Sequence, residues 1–171
     1  MTTHAAEFQR KLRTAREAVD LVRPADTVAV PIATGQPAAF LAALGDRDDW
    51  NGLTIFGGIL TEPYSFLQRK GLLFASGFFG PVERMGIAAG WSIDYLPADF
   101  LGWERYARSV RPRVLVSAVA PMDDRGFLSF GLHAGANVVQ LNTTGCSFEQ
   151  NIESFTHNVE TGPKNQGSYQ E

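Results

Sequence analysis

The residues best able to do chemistry fall in one run, Pro121-Met122-Asp123-Asp124-Arg125-Gly126-Phe127-Leu128-Ser129-Phe130-Gly131. Asp-Asp-Arg-Gly favours a turn, because short carboxylates bond to nearby backbone amides and glycine accepts the strained position. The run therefore predicts that the chain folds back after Val119, with Phe127 to Phe130 as a short returning strand. Gly131-Leu132-His133 would then lead into a helix carrying Val138, Val139 and Leu141. Asp123 or Asp124, Gly126, Ser129 and Gly131 frame either a ligand-facing turn or a plain hairpin with an acidic tip.

Two earlier loops offer binding chemistry. Pro31-Ile32-Ala33-Thr34-Gly35-Gln36-Pro37 joins an apolar segment to a helix start, where unpaired amides and the helix dipole suit an oxyanion or carboxylate. The same residues also serve as an ordinary tight turn at Gly35, with Pro37 in the first helical turn. Ser76-Gly77-Phe78-Phe79-Gly80-Pro81 places two aromatic rings between glycines. It could hold an apolar acyl group, or simply send Phe78 and Phe79 into the core. Phe56-Gly57-Gly58 gives a weaker signal of the same kind.

Other titratable groups are expected to be structural. His133 follows a glycine, yet no serine or aspartate partner is readable from spacing, so it is read as either a helix-start histidine or a ligand-facing one. His4 and His157 are expected in flexible ends. Glu62, Glu83 and Glu104 lie in or near predicted helices and are expected to be solvated or salt-bridged, so no catalytic residue is assigned. No His, Cys, Asp or Glu pair recurs at metal-ligand spacing, and no metal is expected.

These loops need strands to hold them. Thr14 and Glu17 form a capping-box pattern ahead of a helix over about 15–22. A strand over Thr27 to Ile32 follows, then a helix opened by Pro37, a strand over Leu53 to Phe56 and a helix around Pro63 to Lys70. Next come a strand over Leu72 to Ser76, a helix over Val82 to Ala89, a strand around Ser92 to Leu96, a helix within Asp99 to Ser109 and a strand over Val114 to Val119. Alternation of this kind predicts an α/β fold with an open, mostly parallel sheet and helices on both faces. Such sheets bind ligands at the carboxyl ends of their strands, which is where all three loops fall. One domain is expected over residues 1–141. Residues 142–171, rich in Asn, Thr, Ser, Gly and Gln, are expected to form a flexible tail.

Composition narrows the setting. The 171 residues are 44% hydrophobic and 19% charged, which suits a globular domain with a core. A net charge of −3 gives no general attraction to nucleic acid or anionic membrane. The single cysteine, Cys146, rules out an intrachain disulfide and points to a reducing, cytoplasmic compartment. No segment reads as a signal peptide or membrane span.

The segment Val114 to Gly131, a buried strand leading into proline and a D-x-x-G-x-x-S-x-G run, resembles the acetyl-CoA hydrolase/transferase family. That family includes acetate, succinate and 4-hydroxybutyrate CoA-transferases. The Thr14 to Val22 helix, the strand with its Gly35-Gln36-Pro37 loop and the Gly80-Pro81 loop follow in the family's order, so the resemblance covers roughly residues 11–141. It implies a CoA-transferase or sugar-phosphate isomerase-like fold acting on acyl-CoA and a short carboxylate, as in acetate metabolism. A glutamate would carry CoA as a thioester, with no cofactor beyond the CoA esters themselves. In the family that glutamate lies in a second α/β half, so the resemblance implies that this chain is the N-terminal part. It also implies a catalytic half in cis or trans and a homo-oligomeric full enzyme. By position it assigns Thr34, Gly35, Gln36 and Pro37 to the oxyanion and acyl region, and Gly80, Asp123, Gly126, Ser129, Gly131 and His133 to the substrate-facing frame. This sequence departs from the family in having Pro31-Ile32-Ala33 where small residues, often glycine, are usual. Two other readings remain: a stand-alone small-molecule sensor of related fold, and the complete first subunit of a two-subunit transferase.

Overall fold

Five apolar segments build one all-parallel sheet in the computed structural model, which describes residues 3–97, 99 and 102–130. The strands are β1 (Thr27–Ala29), β2 (Leu53–Gly57), β3 (Leu72–Ser76), β4 (Ile93–Tyr95) and β5 (Val114–Leu115), in spatial order β4-β3-β2-β1-β5. The register pairs Val28 with Ile55 and Val114, Ile55 with Phe74, and Phe74 with Ile93. Strands this apolar suit a parallel sheet, because both faces are covered.

Side-chain alternation divides the core in two. Val28, Leu53, Ile55, Leu72 and Phe74 face one side, where they pack with residues of α2 (Ala15–Asp20) and α3 (Ala38–Leu44). Ala29, Phe56, Ala75 and Leu115 face the other side and meet Trp103 of α5 (Gly102–Val110). Trp103 stacks on Phe56 with centroids 4.6 Å apart and tilts against Phe78 at 5.3 Å. Helices therefore cover both faces, as the alternating pattern predicts. The remaining helix of the crossovers, α4 (Pro81–Ala88), joins β3 to β4.

Several local expectations are met and others corrected. The Thr14–Glu17 box forms: the Glu17 amide donates to Thr14 Oγ1 at 3.3 Å and the Thr14 amide to Glu17 Oε2 at 2.8 Å. Around His4, which is expected in a flexible end, the chain instead forms α1 (Thr3–Lys11). Glu7 pairs with Arg10 at 2.6 Å and with Lys11 at 3.2 Å, spacings that support a helix from its own side chains. These hydrogen bonds hold the exposed Glu7 carboxyl down at about 2.

The helix expected around Pro63 to Lys70 is only a 3-10 turn over Ser65–Gln68. It drives the adjacent Phe66 and Leu67 into the core. The first strand stops at Ala29, two residues before Pro31, which has no amide to continue the ladder. The last strand leaves the sheet after Leu115, although the Val116 amide still reaches Ala29 O. The chain folds back after Val119 as expected, but the returning strand expected over Phe127 to Phe130 is reduced to a single antiparallel bridge between Val119 and Phe130. The helix expected after Gly131 and the tail over 142–171 lie outside the described residues.

Candidate functional site

The chain runs from β1 outward through β2, β3 and β4, then returns to place β5 on the other flank of β1. The strand order thus reverses between β1 and β5, which pair with each other, and ligands of open parallel sheets bind outside the carboxyl ends of the strands at such a point. The loops after β1, β2, β3 and β5 all end there.

These loops are bonded to one another in series. The Ala33 amide donates to Ile59 O at 3.2 Å, the Ile59 amide to Phe78 O at 3.1 Å, and the Ala118 amide to Gly35 O at 3.0 Å. Two loop residues without the freedom of glycine take positive φ, Ala33 at 45° and Ile59 at 47°. For a β-branched residue such as Ile59 this is a strained conformation that the surroundings must enforce.

Two buried polar side chains enforce it. Gln36 is 5% exposed, and its Nε2 donates to Gly58 O at 3.0 Å and Ile59 O at 3.2 Å. Its Oε1 accepts from the Thr61 amide at 3.3 Å. The Thr61 hydroxyl lies 3.4 Å from the phenol of Tyr64, which burial pushes up to about 12. Glu83 is fully buried: Oε1 accepts from the Leu60 amide at 2.7 Å and Oε2 from the Gly80 amide at 2.9 Å.

The burial of Glu83 corrects the expectation of a solvated or salt-bridged helix carboxylate. A local signal was present, since Glu83 is the third residue of a helix opened by Gly80-Pro81, the acidic half of a capping box. Its second partner, Leu60, is 23 residues away and no local pattern reveals it. Glu62, by contrast, is exposed.

The predicted site residues divide accordingly. Thr34 is exposed at the tip of the β1 loop, where its hydroxyl has no hydrogen bond among the described residues. Gly35, Gln36 and Pro37 are buried behind it, and Gln36 braces the loops from within. Pro37 sits one position before α3 and not inside its first turn. The amides of Ala33, Gly35 and Gln36 all bond within or between the loops, so the expected row of free donors is largely consumed. Gly80 lies against Ile59, and a β-carbon there would meet Ile59 Cγ2 at 3.5 Å.

Asp123 is the staple of its turn: Oδ1 accepts from the Arg125 amide at 2.9 Å and the Phe127 amide at 2.8 Å. Gly126, at φ 88°, supplies the left-handed residue the turn needs. Ser129 is exposed, with its carbonyl accepting from the Ala120 amide at 2.8 Å. Gly131 and His133 lie outside the described residues. Half-buried Ile32, Ile59, Phe78 and Phe79 add an apolar surface to these strand ends, of which only the two phenylalanines were singled out from sequence. A cleft of about 480 Å³ lined by Gln68, Lys70, Gly71, Gly90 and Ser92 lies at the opposite, amino-terminal ends of β3 and β4. Among the described residues no three His, Cys, Asp or Glu side chains gather as a metal site, and no helix is long and apolar enough to cross a membrane.

No protein-family model matches the chain. Butyryl-CoA:acetate CoA-transferase of Anaerostipes caccae is 32% identical over 147 residues, covering 82% of this chain and 33% of its own length. Succinyl-CoA:cyclohexane-1-carboxylate CoA transferase of Geobacter metallireducens is 27% identical over 134 residues, covering 76% of this chain and 30% of its own. The solved structure of RipA from Yersinia pestis superposes with a TM-score of 0.70 at 25% identity, over 78% of this chain and 34% of that one. The chain thus spans about a third of the length of the curated relatives it matches. With five strands between Thr27 and Leu115 forming an open parallel sheet and a 32%-identical relative covering 82% of the chain, the chain belongs to the CoA-transferase family.

Proposed function

We propose that this chain is the N-terminal part of a CoA-transferase or acyl-CoA hydrolase that moves CoA between an acyl-CoA and a short carboxylic acid, with acetate metabolism its setting. The observation that carries this reading is the cluster of cross-braced loops at the β1–β5 reversal, in a chain whose curated relatives are CoA-transferases. A glutamate supplied by a second half, in cis or trans, attacks the thioester carbonyl and releases CoA thiolate. The thiolate then attacks the resulting anhydride at the glutamyl carbon, freeing the acid and leaving a glutamyl-CoA thioester. A new carboxylate or water completes the cycle.

This chain's share is binding and orientation. Thr34 presents a hydroxyl donor towards the developing oxyanion, and Ile32, Ile59, Phe78 and Phe79 give the acyl chain an apolar wall. Glu83 does not serve as the nucleophile here, since both of its oxygens accept backbone amides in a fully buried position. The hairpin around Asp123, Gly126 and Ser129 completes the frame. CoA esters are substrates, and no other cofactor is required; the setting is a cytoplasmic homo-oligomer.

The test is to assay the 171-residue chain with acetyl-CoA and butyrate, alone and with the downstream half of a family member added. No turnover alone and turnover on addition support the reading. Robust turnover by the chain alone, abolished by Glu83→Gln, would refute it, and calorimetric binding of sugar phosphates without acyl-CoA would favour a sensor.

A further inference from the structure

The peptide between Ile59 and Leu60 is held from both sides by buried side chains. Its carbonyl oxygen accepts from Gln36 Nε2 at 3.2 Å and from the Ala33 amide at 3.2 Å, while its N–H donates to Glu83 Oε1 at 2.7 Å. The preceding amide of Ile59 is taken by Phe78 O at 3.1 Å. Every polar group around the strained Ile59 backbone is therefore occupied, in a region where Gln36 is 5% exposed and Glu83 fully buried. Each oxygen of the buried Glu83 side chain accepts a backbone amide, and the Ser76 hydroxyl lies 3.4 Å from Oε1, so both oxygens are satisfied by hydrogen bonds.

The consequence is directional. A residue in the left-handed region turns its side chain away from where a strand continuation would place it. Ile59 so turned lies beside Gly80: a β-carbon there would sit 3.5 and 3.9 Å from its Cγ2 and Cα, ordinary contact distances, with Glu83 Oε2 the tighter neighbour at 3.1 Å. Ile32 Cγ2 approaches Gly58 in the same way, at 3.4 Å. The strain at Ile59 has no role in closing the core, since the side chain remains half-exposed at the strand ends.

We infer that Gln36 and Glu83 are positioning residues that fix Ile59 as the end-stop of an acyl-binding wall, so that the clamp sets which acyl chain length is accepted. This rests on the reading that the strand ends receive the acyl group. Gln36 and Glu83 do not touch the acyl group; they act through the Ile59–Leu60 peptide. The clamp makes the wall rigid, and a rigid wall discriminates chain length where a mobile one would adapt.

The test uses the 171-residue chain with acetyl-, butyryl- and hexanoyl-pantetheine as probes, read by isoleucine methyl NMR and by affinity. In the unmodified chain the butyryl probe shifts the Ile32 and Ile59 methyl signals. Ile59→Gly accepts the left-handed backbone freely and removes the end-stop. It leaves amide exchange in β1, β2 and β3 slow and moves the hexanoyl-to-butyryl affinity ratio towards the longer chain by on the order of tenfold. Glu83→Gln leaves one of its two amides without an acceptor, so exchange at Leu60 or Gly80 accelerates and the ratio moves the same way. Ile59→Gly keeps the test decisive even where Glu83→Gln fails to fold. Binding with an unchanged ratio in Ile59→Gly overturns the positioning role while leaving the acyl-wall reading intact. Absence of any shift at Ile32 and Ile59 with all three probes overturns both.

Discussion

Replacing Gly77 by alanine tests how the second face of the sheet is packed. A β-carbon at residue 77 would lie 2.5 Å from Trp103 Cε3 and 2.7 Å from Cη2, and closer still to Cζ3, so the methyl falls inside the indole. Either the helix carrying Trp103 shifts, an overpacking cost of about 1–3 kcal/mol, or the ring leaves. Leaving forfeits the Phe56 stack at 4.6 Å and the Phe78 contact at 5.3 Å, each worth about 0.5–1.5 kcal/mol beyond burial. The second route also gives up the burial of Trp103 and so costs more than the first, and Gly77→Ala should destabilise by about 2 kcal/mol through the helix shift. Trp103→Ala alone should cost about 3–5 kcal/mol. With the ring gone the new methyl has room, and Gly77→Ala should then be neutral or gain up to about 1 kcal/mol from reduced unfolded-state entropy. The double-mutant cycle, measured by urea denaturation followed by far-UV circular dichroism, should give a coupling of about 2 kcal/mol or more. Equal costs of Gly77→Ala in both backgrounds would refute the account, because the clash would then not be with Trp103.

Two further perturbations probe the supports of the sheet. Asp26, before β1, is joined by its carboxylate to Arg113, before β5; burial works to raise the Asp26 carboxyl, but hydrogen bonds from Arg113 and the Arg23 amide outweigh it and hold it below the usual value. Because the folded-state pKa is depressed, this stabilisation is full above the unfolded value near about 4 and is lost as pH falls through the folded one. Asp26→Asn should flatten the acid limb of stability against pH, and parallel limbs in the two proteins would refute the assignment. Thr14→Ala removes the acceptor for the Glu17 amide and should cost about 1 kcal/mol in denaturant titration, with Thr14→Ser restoring most of it.

Much of the fold was legible locally. Leu72 to Ser76 reads as a strand and is one, Thr14 and Glu17 read as a capping box and form it, and the Asp123-to-Gly126 turn follows from residue type. Each of these depends on bonds within a few residues, which composition and spacing encode. The match of Val114 to Gly131 to a CoA-transferase pattern was likewise visible, and so were Thr34 and Gly80 as strand-end loop residues.

What the chain order alone could not reveal is how the loops brace one another. Glu83 reads as a helix-surface carboxylate until sheet pairing brings the Leu60 amide to it, and Gln36 reads as a ligand-facing amide until Gly58 and Ile59 turn their carbonyls towards it. Ile59 carries no sequence mark of a positive φ, since that conformation is imposed by partners 23 and 24 residues distant, not by its own preference. The sequence by itself determined most of the elements, the turn at Asp123 to Gly126 and the family resemblance. Tertiary structure alone decided the strand order, the loops that meet at its reversal and the inward turn of two polar side chains, because a buried hydrogen bond exists only once both partners have been carried to the same place.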